Sequence, residues 1–198
     1  MVLSDFKIKN MENDFDSDEE LYFSWYLNQL RNAGYIDNWD KFENVNESYP
    51  LTEGLKRQYV LPMKRVADKI KYQDILKPSI YTPDFKIWWT PKARGIFVTD
   101  LNIESTEKIT TPFICQDGIS IVETKGNHDN NNMTRLAINN IKFAYQKFGV
   151  YIDIVKVPTI FKNSFTPDRY LLTDKTLRKR KINYGIRSLP EFVNSIQK

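Results

Sequence analysis

The stretch ISIVETKG, residues 119–126, is typical of a strand that ends in charged residues. Its apolar residues lead directly into Glu123 and Lys125, and Gly126 follows at once. Because side chains alternate between the two faces of a strand, we expect Glu123 and Lys125 on one face and Thr124 on the other. Charges at the end of a buried strand are unfavourable unless they have a partner or a chemical role. The end of this strand is therefore a candidate site.

A second charged position follows a proline earlier in the chain, in YTPDF at residues 81–85. Proline favours the start or edge of a strand because it lacks an N–H, so Asp84 can project past the sheet edge. Two carboxylates and an ammonium gathered at a sheet edge can hold a divalent cation and activate a water molecule. Each motif alone has a simpler explanation, since Asp84 suits a surface turn and Glu123 with Lys125 suits a cross-strand ion pair.

The segments around these motifs indicate the fold class. Ser17 and Glu20 match a capping box at the start of a helix that continues to Ala33. A second amphipathic helix is predicted over residues 133–148, and another strand over residues 150–157. The order strand, strand, helix, strand predicts an α/β fold with a mixed central sheet flanked by helices.

Composition narrows the function classes. The 198 residues suffice for one domain with a real core, and the net charge of +4 suits a nucleic-acid partner without requiring one. Cys115 is the single cysteine, so neither a disulfide within the chain nor a cysteine-rich zinc site is expected. His128 is the single histidine, which leaves a Ser/His/Asp mechanism little support.

No apolar run approaches the roughly 20 residues of a membrane span, and the polar N-terminus is unlike a signal peptide. We therefore expect a cytoplasmic protein without a membrane partner.

The two motifs together resemble those of the PD-(D/E)XK nuclease superfamily, which includes restriction enzymes, phage exonucleases and Holliday-junction resolvases. The resemblance covers about residues 17–156, and YTPDF in particular looks like phage-encoded members. It implies a restriction-endonuclease-like core and a deoxyribonuclease that uses Mg²⁺ or Mn²⁺. By resemblance, Asp84 and Glu123 would be metal ligands, Lys125 would orient or activate the attacking water, and the backbone carbonyl of Thr124 would complete the metal shell.

The resemblance also implies a glutamate on the first helix, close to the metal. Glu19 and Glu20 both qualify. The capping box and the helix dipole explain Glu20 without any catalytic role. The sequence leaves the choice open, with a slight preference for Glu20 as the catalytic carboxylate and Glu19 as the alternative metal ligand.

A further element implied by the resemblance is a polar or basic residue on the helix after the Glu-x-Lys motif. Arg135, Lys142 and Gln146 are the candidates, and their spacing places them roughly on one helix face. They would hold a DNA phosphate near the metal. A solvated face of an amphipathic helix explains each of them equally well.

The C-terminal part of the chain carries a second candidate DNA-binding set. A basic run lies on a hairpin predicted to pair residues 170–172 with residues 181–184. The run consists of Arg178, Lys179, Arg180 and Lys181. Such residues would contact phosphates and add affinity without sequence preference, although most basic runs are simply solvated.

The expected organisation has three parts. Residues 1–16 form an acidic, flexible N-terminus, residues 17–157 the nuclease core, and residues 158–198 a basic extension with a hairpin and a helix. Glu123 follows Asp84 by 39 positions, which is a long separation for neighbouring strands, and an insertion over about 90–117 that folds out as a flap would explain it. Otherwise Asp100 or Asp117 would have to replace Asp84. An additional strand is predicted within residues 61–78.

The resulting functional hypothesis is a metal-dependent, phage-type endonuclease that acts on DNA, with a homodimer as a further option. A structure-selective Holliday-junction resolvase or an exonuclease is the alternative within the same chemistry. A non-catalytic DNA-binding or phage structural protein that keeps the fold is the alternative from another class.

Overall fold

A computed structural model describes residues 15–42, 47–64, 67–126 and 131–197 of the chain. The expected flexible N-terminus, residues 1–16, therefore lies almost entirely outside the described residues. His128 lies outside them as well. The strands are β1 (Ile36–Lys41), β2 (Tyr49–Thr52), β3 (Leu55–Leu61), β4 (Lys69–Leu76), β5 (Ser79–Tyr81), β6 (Phe85–Trp89), β7 (Val98–Asp100), β8 (Phe113–Cys115), β9 (Ile119–Lys125) and β10 (Ile152–Lys156). The helices are α1 (Asp18–Asn32), α2 (Asn131–Phe148), α3 (Val157–Asn163) and α4 (Leu189–Ile196), and short 3₁₀ turns cover Pro91–Ala93 and Asp168–Leu171.

A four-stranded sheet in the spatial order β1-β6-β9-β10 forms the centre of the molecule. β6 pairs antiparallel with both β1 and β9, whereas β9 and β10 are parallel. A parallel pair needs a crossover connection, which α2 provides here. The prediction of an α/β fold with a mixed central sheet flanked by helices is confirmed at this level.

Helices cover both faces of this sheet. On one face, α1 packs Phe23 against Phe85, with ring centroids 5.3 Å apart, inside the main apolar cluster. On the other face, Ala144 of α2 is buried in a smaller cluster with Ile121 of β9. Strand β9 is thus covered on both sides, and its residues from 120 to 124 are all buried. Charged side chains at the end of such a strand need partners.

Helix α1 begins where the sequence predicts it. The Ser17 hydroxyl accepts a hydrogen bond of 3.2 Å from the backbone N–H of Glu20, as an N-cap does. The helix gives way to a turn at Gly34, whose φ of +75° suits glycine at this position. This local geometry places the first-turn glutamates near the ends of the central strands.

The connection between β6 and β9 differs from the expected flap. Ala93, Phe97 and Phe113 are completely buried in the main apolar cluster, and β7 and β8 form a small parallel pair. Only the middle of the connection, from residue 102 to residue 110, is exposed throughout. The connection is long because it contributes to the core before the chain returns to β9.

Residues 158–197 also differ from the expected hairpin extension. A 3₁₀ turn and a single bridge between Leu172 and Lys179 stand where the hairpin was predicted, whereas the helix is present as α4. Phe165 is fully buried and stacks on Tyr26 of α1, with ring centroids 4.4 Å apart. Phe192 of α4 belongs to the same cluster. This part of the chain covers one side of the core.

Strands β2 to β5 leave the central sheet as a long ribbon. β2 pairs with β5, and further out β3 pairs antiparallel with β4. The strand predicted within residues 61–78 corresponds to β4, whereas β3 had no predicted counterpart. Every residue of β3 and β4 is exposed, and we call these two strands the arm.

None of the helices within the described residues combines the length and the apolar character that a membrane span requires.

Candidate active site

The sheet brings the two motifs together. Phe85 is paired with Val122, and the backbone N–H of Asp84 donates a hydrogen bond of 3.0 Å to the carbonyl of Val122. Asp84 therefore lies beside the last residues of β9, although it precedes them by some 40 positions. The two alternative aspartates lie elsewhere, since Asp117 sits in the turn before β9 and Asp100 forms an ion pair with Arg94 at 2.7 Å.

The carboxylate of Asp84 is fixed by the neighbouring strand. Its Oδ2 accepts hydrogen bonds of 2.6 Å from both the backbone N–H and the hydroxyl of Thr124. Short hydrogen bonds to an ionised acceptor are the stronger kind. Thr124 thus holds the Asp84 side chain at the strand end, a role beyond the backbone carbonyl that the resemblance implies for this residue.

Glu123 and Lys125 share one face of β9, as the alternation of the strand predicts. The Lys125 ammonium donates to Oε1 of Glu123 at 2.7 Å, and the hydroxyl of Tyr81 donates to Oε2 at 3.0 Å. Glu123 is only 7% exposed. Burial raises the pKa of its carboxyl and the nearby Asp84 carboxylate raises it further, while Lys125 and Tyr81 act in the opposite direction.

Helix α1 adds its glutamates to the same region. Glu20 is 8% exposed, accepts a hydrogen bond of 3.0 Å from the Ser17 hydroxyl and has a pKa that is raised, first by burial and then by Asp84. Glu19 reaches over Gly126, where an added Cβ would come within 2.6 Å of the Glu19 carboxylate. The structure therefore brings both candidates to the site, with Glu20 electrostatically coupled to Asp84.

An open cleft lies beside these residues, and Glu123 and Tyr81 are not among those that line it. It has a volume of about 420 Å³ and lies between the start of α1 and the strand ends. Its lining residues are Ser17, Glu19, Glu20, Asp84, Thr124, Lys125 and Gly126. A cavity of about 490 Å³ elsewhere, between β10 and α3, has Lys156 as the one charged residue among its described lining residues, so it lacks the paired carboxylates.

The capacity of the cleft to hold a cation follows from its donor set. Among the described residues, no three His, Cys, Asp or Glu side chains are grouped as a metal site, because Glu123 is directed to Lys125 and Asp84 to Thr124. Mg²⁺ keeps several of its own waters and takes one or two carboxylates, so it does not need such a group. Asp84 raises the pKa of both Glu20 and Glu123, and a divalent cation would offset this repulsion. The residues present are compatible with Mg²⁺ or Mn²⁺.

The predicted DNA-binding residues fall into two groups. Six are exposed, three on α2 and three in the C-terminal loop. They are Arg135, Lys142, Gln146, Arg178, Lys179 and Lys181. Arg180 is instead half-buried and bound to other residues of the protein, since it forms an ion pair of 2.7 Å with Asp174 and packs over the rings of Tyr22 and Tyr170.

Sequence reasoning missed Tyr81 as a site residue. It is the first residue of the YTPDF stretch, it is buried, and its hydroxyl donates to Glu123 across 42 positions of sequence. Burial and the Glu123 carboxylate raise the pKa of this hydroxyl, so it stays protonated as a donor. An aromatic residue three positions before Asp84 was the available signal, but its partner is visible only once β5 and β9 are placed.

No protein-family model, curated protein or solved structure matches this chain.

Proposed function

We propose that the protein is a metal-dependent nuclease of the PD-(D/E)XK type that hydrolyses phosphodiester bonds in DNA. The observation that supports this most directly is the position of Asp84 beside the end of β9, which carries Glu123 and Lys125. The long separation of the motifs in sequence was the main argument against their acting together. Their proximity at one strand edge removes that argument.

Asp84 and Glu123 would hold Mg²⁺ or Mn²⁺, with Glu20 or Glu19 as an additional carboxylate from α1. When bound, the cation would polarise the scissile phosphate and lower the pKa of a water molecule. Thr124 and Tyr81 hold the two strand-end carboxylates by hydrogen bonds that exist before DNA arrives. Such preorganisation avoids rearrangement of the site during the reaction.

Lys125 has the second role in this proposal. Its ammonium lies 2.7 Å from Glu123 and lines the cleft, where it can orient the attacking water and offset charge that develops on the phosphate. Hydrolysis adds the oxygen of water to phosphorus and breaks the P–O3′ bond. The products are a 5′-phosphate and a 3′-hydroxyl, the latter formed when the leaving oxygen takes up a proton.

The test is incubation of the purified protein with supercoiled, linear and branched DNA in Mg²⁺, Mn²⁺ or EDTA. We expect cleavage that requires the divalent cation and is lost in Asp84→Asn, Glu123→Gln and Lys125→Met. Preference for branched DNA would identify a resolvase, and release of nucleotides from ends an exonuclease. Full activity of Lys125→Met would contradict the assignment of this motif.

Matched controls keep the test specific. Glu104→Gln and Lys162→Met make the same chemical changes at exposed positions away from the cleft, and they should cleave like the wild type. Circular dichroism of every variant would separate loss of chemistry from loss of fold, since Glu123 is buried.

A non-catalytic DNA-binding protein is the competing proposal. The observation that favours it is that both carboxylate oxygens of Glu123 already accept hydrogen bonds within the protein, one from Lys125 and one from Tyr81. It predicts metal-independent, salt-sensitive DNA binding and no cleavage of any substrate by the wild-type protein.

A further inference from the structure

The arm is the largest feature that the proposed active site does not use. Its two strands, β3 and β4, pair over their full length, and all of their residues are exposed. A two-stranded hairpin with water on both faces is at best marginally stable by itself. A ribbon of this kind is therefore better suited to contact a partner than to support the core.

The register divides the arm into two different faces. Residues directly opposite each other in an antiparallel pair share a face, and successive pairs alternate. One face, which we call the basic face, carries Arg57, Tyr59, Leu61, Lys69, Lys71 and Gln73. The other, the neutral face, carries Lys56, Gln58, Val60, Ile70, Tyr72 and Asp74.

Charge distinguishes the two faces. The neutral face balances Lys56 with Asp74, whose charged groups are 3.8 Å apart. The basic face has three cations and no carboxylate, and Tyr59 lies on the same face opposite Lys71. Closely spaced cations without a counter-charge on an exposed ribbon are complementary to a polyanion. A two-stranded ribbon also has the width that the major groove of a DNA duplex accepts.

The arm is joined to the candidate active site through β2 and β5. The hydroxyl of Tyr81, at the end of β5, donates to Glu123, and Asp84 follows three residues later. The other stem strand is held by α2, because Lys147 donates to the carbonyl of Pro50 at 2.7 Å. At seven or eight residues per strand, the arm extends about 25 Å from this stem.

The corner between stem and arm is closely packed. Gly54 lies between β2 and β3, and an added Cβ there would come within 3.0 Å of Pro78 and 3.1 Å of the Leu76 carbonyl. A side chain at this position would require these neighbours to shift by a few tenths of an ångström, so the chain passes tightly through the corner.

We propose that the basic face of the arm binds the backbone of a DNA duplex in its groove, beside the site of cleavage. This inference rests on the proposed function for its choice of DNA as the polyanion. Arg57, Lys69 and Lys71 contact phosphates, and Tyr59 packs against sugar. The contacts add affinity and position the duplex, without selecting a sequence.

The test compares two triple variants of the full chain. The arm variant is Arg57→Gln, Lys69→Gln and Lys71→Gln, and the matched control is Lys108→Gln, Lys162→Gln and Lys175→Gln, which removes the same charge from exposed positions elsewhere. Fluorescence anisotropy measures binding to a duplex of about three helical turns in EDTA, over a series of salt concentrations. We expect the arm variant to bind about tenfold more weakly or worse, and its salt dependence to fall by about two to three released ions relative to the control.

Other outcomes separate this inference from the nuclease proposal. If the arm variant binds like the control, the inference is overturned even when the wild type cleaves DNA. If the wild type shows arm-dependent binding but no metal-dependent cleavage, the arm inference stands and the nuclease proposal fails. Light scattering tests whether the partner of the arm is a second copy of the chain. If the wild type is a dimer and the arm variant is a monomer, the arm is a contact between copies and the inference is overturned.

Discussion

The carboxylate of Asp84 is held by Thr124, whose backbone N–H and hydroxyl both donate to Oδ2 of the aspartate at 2.6 Å. The relationship joins the residue before β6 to β9, and it fixes one proposed metal ligand through the residue that follows another. It makes Thr124 more than the variable residue of a Glu-x-Lys motif, because its side chain has a partner of its own.

Replacing Thr124 by valine tests this relationship, since valine has nearly the same shape but no hydroxyl. Asp84 would keep one hydrogen bond of two, and a hydrogen bond to a charged group contributes about 1.5–3 kcal/mol. We expect the free energy of unfolding to fall by about this amount and cleavage to slow about tenfold. Thr124→Ser restores the hydroxyl and should recover both. Unchanged urea denaturation and unchanged cleavage in Thr124→Val would show that the hydroxyl has no positioning role.

Tyr81→Phe removes the hydroxyl that donates to Glu123 and leaves the ring in place. Because this hydrogen bond lowers the pKa of Glu123, its loss should raise that pKa further and weaken cation binding. We expect a lower affinity for Mg²⁺ in isothermal titration calorimetry together with slower cleavage.

Tyr26→Phe is the matched control for this prediction. The Tyr26 hydroxyl is also buried and hydrogen bonded, at 3.0 Å from Ser164, but it lies in the core away from the cleft. Both variants should lose about 1–2 kcal/mol of stability, whereas only Tyr81→Phe should lose cation affinity. Equal behaviour of the two variants would reduce Tyr81 to a core residue.

The parts of the fold that the sequence predicted correctly are those set by local rules. The N-cap at Ser17 and the shared face of Glu123 and Lys125 follow from hydrogen bonding and alternation over a few residues. The periodicity of α2 and the apolar run of β10 are likewise local signals. Such features need no knowledge of which distant segments meet.

The features that the sequence did not reveal depend on distant contacts. Phe97 belongs to the core only because the connection between β6 and β9 folds back, and its own neighbourhood in sequence is unremarkable for a loop. Arg180 looked like one member of a basic run, and its partners Tyr22 and Asp174 lie 158 and 6 positions away. The arm has the alternation of a strand, but only the register shows that its cations share a face.

Arg180 provides a prediction that separates structure from DNA binding within one basic run. Its guanidinium pairs with Asp174 and lies 4.8 and 4.5 Å from the ring centres of Tyr22 and Tyr170. We expect Arg180→Ala to lower the free energy of unfolding by about 1–3 kcal/mol. Arg180→Lys should keep only part of this stability, because lysine lacks the planar guanidinium group. Arg178→Ala should stay within about 0.5 kcal/mol of the wild type in denaturant titrations. A larger loss for Arg178 than for Arg180 would contradict this assignment.

The raised pKa of Asp153 leads to a prediction of how the free energy of unfolding changes with pH. It is buried in β10, where it accepts a hydrogen bond of 2.9 Å from the backbone N–H of Ile114, and burial raises its pKa from 3.8 to about 7. Between these values the folded state holds a proton that the unfolded chain has lost, so the free energy of unfolding should fall as pH rises through this window, by at most about 1.4 kcal/mol per pH unit. Asp153→Asn keeps the acceptor but cannot ionise, and its stability should therefore decline less between pH 5 and pH 8. Parallel pH profiles of the two proteins in urea denaturation would show that Asp153 titrates normally.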